Sequence, residues 1–457
     1  MAATTASEWR DLLESRLHQR WDSWSKWDRY YEGDHPVARY LLRLQYQNSN
    51  SLLGQVLRSL NNNYMPLVVD SASERLKVQG FRFGADADDE AWRIWQANGL
   101  DADSSLLHTE AIKLGEAYWM VQPNGDTPRI TAEHPSQVIV AHAPGNRKVR
   151  VAALKKWSDG ETVYANVYLP DRVVKYRSTD RRLRVEKGEK RWDTVAAGAN
   201  PLNEVPIVPM ANNPSMLGGG RSDLALGITD IQDKIEFTLM SQLTGTENQA
   251  LPQRVMTGVE PPRDPTTGKV IPDARMLGQK LWWFEGDNVD VKEFSQAKLT
   301  EIRDTVDSYI GDIAAQARIP LYYFKPNAIS NISAEALIGL DAGLVSKTNA
   351  KKEVFGEAHE EAMRLAFRSI DPADPRADAV DAEGLWKDTE SRSQAQLTDA
   401  VMKEVAMGLP FESALEKLGY SPQAIDRILA QKASESFLTP EAPVGGEPSL
   451  VTTDGQV

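Results

Sequence analysis

The sequence predicts an α+β protein of several domains in which helices predominate. The chain has 457 residues, more than one hydrophobic core usually serves, so we expect about two to four domains. Residues 128–210 contain short β-type runs such as "VRVAALKKWS" that are separated by turn residues. Over 223–243, 297–318 and 334–369, apolar residues recur at the three- and four-residue steps of amphipathic helices.

The composition excludes several kinds of site. There is no cysteine, so disulfides, thiolate metal sites and cysteine nucleophiles are excluded, and a reducing compartment is expected. The histidines lack the i, i+4 spacing of a helical zinc site; they are His18, His35, His108, His134, His142 and His359. No apolar run reaches the roughly 18 residues of a spanning helix, and the N-terminus has no apolar signal core. We therefore expect no membrane segment.

The charge is acidic overall but unevenly distributed. The net charge is −13, and residues 371–457 carry 16 acids and 7 bases, a net of −9. Residues 146–191 carry 14 bases and 6 acids, a net of +8. An acidic chain is not expected to coat DNA non-specifically. We interpret the basic region as a solvated outer face, and contact with nucleic acid or a partner is the alternative.

Residues 7–60 are predicted to form helices that are interrupted at "YYEGDHP". Ser7 is the expected cap of the first helix. The arm is rich in tryptophan, at Trp9, Trp21, Trp24 and Trp27. Core packing is the favoured role of these side chains, and docking on a neighbouring subunit is the alternative.

Residues 64–120 predict a helix, a short strand that ends at Phe83, two more helices and another strand. The β-type runs of 128–210 predict an antiparallel sheet after them. Next comes "LGGGRSD" at 217–223. Glycines before a helix could cradle a phosphate, but the lysine and the preceding strand of such a loop are missing, so a hinge is favoured.

The second half predicts a protruding hairpin of two helices with a small β tip. The helices are 223–243 and 297–318, and five prolines and the β-type runs "RVMTG" and "KLWWF" lie between them. Residues 334–369 contain no proline and predict one long helix, with Ser333 as its cap and Glu335 in its first turn.

Between the returning helix and the long helix stands "IPLYYFKPNAISNISAEALI". We expect the four residues of "LYYF", 321–324, to pack this bend into the core. The segment 325–331 is then the polar part that is free to face a channel. Further on, 391–431 predicts a small helical module, and the Pro-, Gly- and Ser-rich end of the chain predicts disorder.

No motif of catalysis is complete. "RDPTTGKV" has arginine where a P-loop needs glycine and valine where it needs serine or threonine, and "HEEAM" at 359–363 ends in methionine where a zinc protease has its second histidine. The sequence therefore predicts no enzyme, no cofactor and no metal site.

The order of these elements, over residues 8–431, resembles the portal (head–tail connector) proteins of tailed bacteriophages, in particular of siphophages that infect actinobacteria. The motifs that carry the resemblance are "VVDSASERLKVQGFRF", "ARIPLYYFKPNAISNISAEAL" and "LGYSPQAIDRI". The resemblance implies an α+β portal fold with a mainly helical stem, tunnel helix and crown, an α+β wing and a small β clip.

The resemblance also implies a structural role and a set of partners. Portal proteins form a ring, usually a dodecamer, at one capsid vertex, and double-stranded DNA is packaged and ejected through the ring without sequence recognition. The partners expected are the terminase large subunit, the head–tail adaptor, and the major capsid and scaffolding proteins. The expected location is the portal vertex of the virion, and the host cytoplasm during assembly. A non-portal virion assembly or adaptor protein is the alternative.

By the same resemblance the chain divides into nine segments. These are an N-terminal arm (1–63), the wing (64–220), stem helix 1 (221–246), the clip (247–295), stem helix 2 (296–319), the tunnel loop (320–333), the long tunnel helix (334–371), the crown (372–433) and a disordered tail (434–457). The expected tunnel-loop residues are Lys325, Pro326, Asn327, Ser330 and Asn331. The expected clip residues, for docking terminase or adaptor, are Arg254, Arg263, Lys269, Arg275, Trp282 and Trp283.

Overall fold

The structure of the chain is a computed structural model. It describes residues 5–36, 62–84, 87–179, 192–216, 218–225, 227–258, 263, 265–269, 281–284, 290–293, 299–328, 333–390, 394–420 and 422–438.

The first helix, α1 (Ala6–Tyr31), begins with a reciprocal cap. The hydroxyl of Thr5 accepts from the amide of Glu8 at 3.3 Å, and the Glu8 carboxylate accepts from the amide of Thr5 at 3.1 Å. These two bonds satisfy two of the free amides at a helix start. The prediction that Ser7 is the cap is therefore wrong, because the helix begins one residue before Ser7.

Helix α1 packs on an antiparallel sheet of five strands in the order β4–β5–β6–β7–β8. The strands are β4 (Val138–Ala143), β5 (Asn146–Asp159), β6 (Thr162–Tyr168), β7 (Arg172–Ser178) and β8 (Asp193–Ala199). Trp24 is buried against this sheet, and Trp9 and Trp27 pack at the edge of the same core. Trp21, in contrast, is 53% exposed. Core packing within the chain thus explains three of the four tryptophans of the arm.

The segment before the sheet has the predicted order of elements. It contains α2 (Met65–Ser73), β1 (Val78–Phe83), α3 (Asp89–Ala97), α4 (Leu100–Leu114) and β2 (Glu116–Gln122). Strand β2 is the centre of a second antiparallel sheet, between β3 (Arg129–Glu133) and β9 (Ile207–Ala211). The predictions of a strand ending at Phe83 and of an antiparallel sheet are confirmed.

The predicted helical hairpin is present as α5 (Ile228–Ala250) and α6 (Leu299–Ala317). Between them lie β10 (Arg254–Thr257), β11 (Leu281–Phe284) and β12 (Asp290–Glu293). Strand β10 is central, parallel to β11 and antiparallel to β12. The two predicted β runs are strands, whereas β12 was missed because "DVKE" is short and mostly charged, without the pattern of a half-buried strand.

A short helix, α7 (Leu321–Phe324), joins the hairpin to α8 (Ala334–Ile370), which is a single helix of 37 residues. After α8, β13 (Ala382–Trp386) pairs antiparallel with β1. The chain ends in α9 (Gln394–Ala406), α10 (Phe411–Lys417) and α11 (Pro422–Leu438). The predicted long helix and helical module are confirmed. The disordered tail was expected from residue 434, which is wrong for 434–438, because these residues continue α11; the remainder, from 439 onward, lies outside the described residues.

The largest core surrounds the middle of α8. Its fully buried side chains include Trp95 of α3, Trp119 of β2, and Phe355 and Phe367 of α8. Apolar residues of α5 and α6, among them Ile235 and Ile313, belong to the same core. One continuous core therefore holds the base of the α5–α6 hairpin, the bend at α7 and the long helix in fixed relation.

Candidate channel loop and docking tip

The bend after α6 is made by backbone conformation. Arg318 adopts a left-handed conformation with φ of 56°, which ends the helix after Ala317. Pro320 then occupies the N-cap position of α7, where a missing amide hydrogen costs nothing. The chain is thereby turned from α6 into the short helix that precedes the loop.

The side chains of α7 face different surroundings. Phe324 is buried and lies beside Tyr64, with ring centroids 5.9 Å apart. Tyr322 and Tyr323 are half-buried, and Leu321 is 41% exposed. The expectation that all four side chains enter the core is correct for Phe324 and partly correct for Tyr323, which packs against the same core. It is wrong for Leu321, because the tyrosine hydroxyls hold α7 through polar contacts and leave Leu321 toward solvent.

The two tyrosines of α7 join a polar cluster that binds three segments together. The hydroxyl of Tyr322 donates to the carboxylate of Asp341 in α8. The guanidinium of Arg75, just after α2, donates to Asp341 at 2.8 Å, to the hydroxyl of Tyr323 at 2.6 Å and to the carbonyl of Thr389 at 3.1 Å. We call Arg75, Tyr322, Tyr323 and Asp341 the loop latch. Burial and the bond to Asp341 raise the pKa of Tyr322, so its hydroxyl stays protonated and donates at neutral pH.

Three of the five predicted loop residues are described. The ammonium of Lys325 lies 2.6 Å from the carboxylate of Asp307 on α6, so its charge is already partnered within the chain. Pro326 and Asn327 are exposed in a 3₁₀ turn. Ser330 and Asn331 lie outside the described residues.

The long helix begins where the sequence predicts. The hydroxyl of Ser333 accepts from the amide of Ala336 at 3.2 Å, which is the expected N-cap. The two boundaries of the loop are therefore α7 on one side and a capped helix start on the other.

A second polar cluster lies where the α5 segment meets α8. Asp223 is almost fully buried, and its carboxylate lies 2.7 Å from the ammonium of Lys347 and 3.0 Å from that of Lys351. Asn212 and Asn213 donate to it at 2.8 and 2.7 Å. Burial alone would raise the pKa of Asp223, but the two ammonium groups outweigh burial and hold the pKa well below its usual value.

The glycine-rich segment is packed. The amide of Gly220 donates to the Glu116 carboxylate at 2.9 Å, and the same carboxylate accepts from Arg20 and Tyr118, each at 2.7 Å. A side chain at Gly220 would meet the carbonyl oxygen of Gly115 at 1.8 Å. This amide is therefore not free to bind a phosphate, and close backbone packing explains why glycine is needed there.

The predicted docking residues lie in and around the three-stranded sheet between α5 and α6, called here the docking tip (residues 254–293). Trp282 and Trp283 are central in β11, in register with Val255 and Met256 of β10, and Arg254 begins β10. Arg263 and Lys269 are exposed, whereas Arg275 lies outside the described residues. The fold thus brings Arg254 and the tryptophans onto adjacent strands, which the sequence could not show.

Among the described residues, no three or more histidine, aspartate or glutamate side chains are grouped to hold a metal ion. No described helix combines the length and the apolar character needed to cross a membrane.

The charged members of the two clusters were missed by sequence reasoning. Asp341, Lys347 and Lys351 stand in a helix whose other faces are exposed, and such charges are usually solvated. Arg75 and Asp223 lie far from α8 in sequence. Only the fold brings these opposite charges together.

Comparison with known proteins gives one consistent result. The family described as "Phage portal protein, SPP1 Gp6-like" matches residues 12–436. The chain is 29% identical over 414 residues to a protein named "Portal protein" of Mycobacterium phage D29, covering 86% of this chain and 81% of the relative. A "Portal protein" of Mycobacterium phage L5 is 29% identical over 381 residues, covering 78% and 76%. Among solved structures, the neck of an empty GTA particle is similar with a TM-score of 0.46 and 12% identity, covering 84% of this chain and 93% of that one. Since the family match spans nearly the whole chain, this protein belongs to the SPP1 Gp6-like family of phage portal proteins.

Proposed function

We propose that this portal protein assembles into a closed ring, a dodecamer by resemblance, through which double-stranded DNA is packaged into the capsid and later ejected. The observation that carries the proposal is the family match from residue 12 to residue 436, which includes the α5–α6 hairpin, the loop and α8. The protein would then reside at the portal vertex of the virion, after assembly in the host cytoplasm.

We assign the segments by their place in the fold. The five-stranded sheet, the sheet β3–β2–β9 and helices α2–α4 form the wing. Helices α5 and α6 form the stem, and the docking tip is the clip. The loop between α7 and α8 is the tunnel loop, with α8 as the helix behind it, and α9–α11 form the crown. Strand β13 pairs with β1, so the crown begins after β13, later than residue 372.

The charges of the stem support sliding of DNA. Helix α6 carries one exposed base, Arg303, and four exposed acids, which are Glu301, Asp304, Asp307 and Asp312. Acids that face a channel repel the phosphate backbone. Lys325 is already paired with Asp307, so the start of the loop offers DNA little net positive charge. Contacts would be brief and independent of sequence.

The docking tip is proposed to bind the terminase large subunit during packaging and the head–tail adaptor afterwards. Its β11 carries adjacent tryptophans, a residue type that is enriched at binding hot spots. The wing would contact the major capsid and scaffolding proteins. No catalysis is proposed for this chain.

Electron microscopy of the purified protein tests the ring. We expect closed rings with an axial hole that is wide enough for the DNA duplex. A stable monomer at high concentration, or an open helical filament, would overturn the proposal and favour the adaptor alternative.

The DNA path is tested by deleting residues 326–331. Rings should form as before, but particles that carry the variant should contain less DNA, because the proposed contact with the duplex is lost. Normal DNA content in these particles would remove the channel-loop assignment while leaving the ring intact.

A further inference from the structure

Helix α7 is held by few apolar contacts. Phe324 is its only buried side chain, and Leu321 is 41% exposed. Apolar packing therefore holds the side of this short helix that carries Phe324 and Tyr323, while Leu321 lies toward solvent. A further set of directional contacts is needed to orient the segment from which the loop emerges.

The loop latch supplies those contacts. The side chains of Arg75 and Asp341 are only 13% and 10% exposed, and the Arg75–Asp341 pair is surrounded by the two tyrosine hydroxyls. A largely buried, hydrogen-bonded charge pair tolerates few alternative geometries, because breaking it leaves an unpaired charge away from water. The latch therefore has one favoured arrangement.

The latch also joins distant parts of the chain at one point. Arg75 follows α2 in the main body, Tyr322 and Tyr323 precede the loop, and Asp341 lies two turns into α8, beyond the loop. Through the carbonyl of Thr389, Arg75 also holds the segment after β13, and the hydroxyl of Thr389 contacts Asn349 of α8 at 2.8 Å. The guanidinium of Arg75 thus bonds to one residue before the loop, Tyr323, and to one residue after it, Asp341.

We propose that the loop latch consists of positioning residues that set where residues 325–328, the start of the channel loop, stand relative to α8, with Arg75 as the group that couples this segment to the main body. Breaking the latch by substitution should free the start of the loop without unfolding the core. That the position of the loop affects the passage of DNA rests on the proposed portal function. That the latch sets the position of the loop does not.

The chain offers a clean probe, because it contains no cysteine. Asn327→Cys therefore gives a single site for a nitroxide label on the exposed turn next to the latch. Labelled chains are mixed with an excess of unlabelled chains, so that spins in one assembly stay apart. The electron paramagnetic resonance spectrum then separates mobile from immobile labels.

Three variants weaken the latch to different degrees. Tyr322→Phe and Tyr323→Phe each remove one hydroxyl and keep the ring, and Arg75→Met removes the guanidinium. We expect the mobile fraction of the label to rise about fivefold in the tyrosine variants, the effect of losing one hydrogen bond, and further in Arg75→Met. Arg93→Met is the matched control, since Arg93 pairs with Glu90 on the exposed face of α3 and should leave the spectrum unchanged.

The outcomes are decisive in each direction. An unchanged label spectrum in both tyrosine variants overturns the proposal, even if their thermal midpoints fall, since that result assigns the cluster a purely structural role. If Arg75→Met does not fold, the tyrosine variants still decide. Failure of the portal function would show instead as absent rings. Normal DNA content in particles with a mobile loop would remove only the channel-loop assignment, so these failures are distinguishable from failure of the latch.

Discussion

Asp223 shows at the residue scale how one buried carboxylate joins two regions of the chain. Its two ammonium partners, Lys347 and Lys351, come from successive turns of α8, and its amide partners come from the two residues just after β9. The cluster thus links α8 to the segment just before α5. A charge removed from such a cluster leaves its partners buried and unpaired, which costs more than the pair itself contributes.

We predict that Asp223→Asn lowers the free energy of unfolding by about 3 kcal/mol, because the buried ammonium of Lys351 and the largely buried ammonium of Lys347 lose their counter-charge. Urea denaturation at pH 7 measures this change. Asp304→Asn, on the exposed face of α6, should alter stability by less than about 0.5 kcal/mol. A loss in the Asp223 variant no larger than that of the control would show that the cluster contributes little.

The pH dependence of the same group has a definite sign. The pKa of Asp223 is lowered in the folded state, so its stabilising effect is present above the unfolded pKa of about 4 and is lost as the pH falls below it. Asp223→Asn should therefore flatten the loss of stability of the wild type in acid.

A pair of buried histidines gives a second pH effect. The indole of Trp119 donates to Nδ1 of His359 at 3.0 Å, and Nε2 of His359 lies 2.9 Å from Nε2 of His108. Since His359 accepts at Nδ1, it donates from Nε2, and both rings are neutral. Burial lowers the pKa of His108 to about 3 and the pKa of His359 well below its usual value.

The unfolded chain binds protons at these histidines below about pH 6.5, and the folded chain does not. We predict that stability falls by about 1 kcal/mol per pH unit for each buried imidazole as the pH drops from 6.5 toward the folded values. Denaturation of wild type and His108→Leu over pH 7.5 to 4.5 compares the slopes, with the leucine variant expected to be the flatter. Parallel slopes would contradict a neutral buried pair. His134→Gln, at a half-exposed histidine, is the control.

At the scale of elements, the end of α4 and the glycine-rich segment form a joint of two backbones. Gly115 ends α4 in a left-handed conformation with φ of 97°, and Gly220 lies against it. The Cβ of any other residue at position 220 would occupy the place of the Gly115 carbonyl oxygen. The sequence favoured a hinge for these glycines, but contact between the two backbones supplies a sufficient physical reason for glycine at this position.

We predict that Gly220→Ala destabilises the protein by about 3 kcal/mol or more, because backbone must move to admit the methyl group. Gly339→Ala in α8 should instead stabilise it by about 0.5–1 kcal/mol, since a Cβ there meets nothing within 4 Å. Thermal unfolding of both variants measures the contrast. If Gly220→Ala unfolds like the wild type, the close packing is not a constraint.

Much of the element order was predictable from local pattern. The apolar repeat defines α5, α6 and α8, and the Ser333 cap defines where α8 begins. The pairings were not predictable, because the period of a strand does not reveal its neighbour. Strand β13 pairs with β1 although about 300 residues separate them, and β10 runs parallel to β11, which local sequence does not encode.

At the scale of the whole molecule, the hairpin of α5 and α6 extends from a shared core and carries the docking tip at its far end. The helices are long enough to hold the tip away from the core. The docking tip precedes α6 and the loop follows it, so they are separate surfaces; under the proposed function one would meet DNA and the other partner proteins.

We predict that Trp282→Ala combined with Trp283→Ala weakens binding of the terminase large subunit to the ring by at least about tenfold, the usual effect of losing a binding hot spot. Binding is measured with purified rings, whose formation is the control for folding. If both terminase and adaptor bind as before, the tip is not the docking surface.

The sequence alone determined the α+β class, the long helices, the lack of any complete catalytic motif and the resemblance to portal proteins, because periodicity and the order of elements are local properties of the chain. Only the tertiary structure decided that Lys325 is paired with Asp307, that Leu321 faces solvent, and that Arg75 binds Tyr323 and Asp341 on the two sides of the loop. Those contacts join residues that are distant in sequence, and their partners are selected by packing around one core.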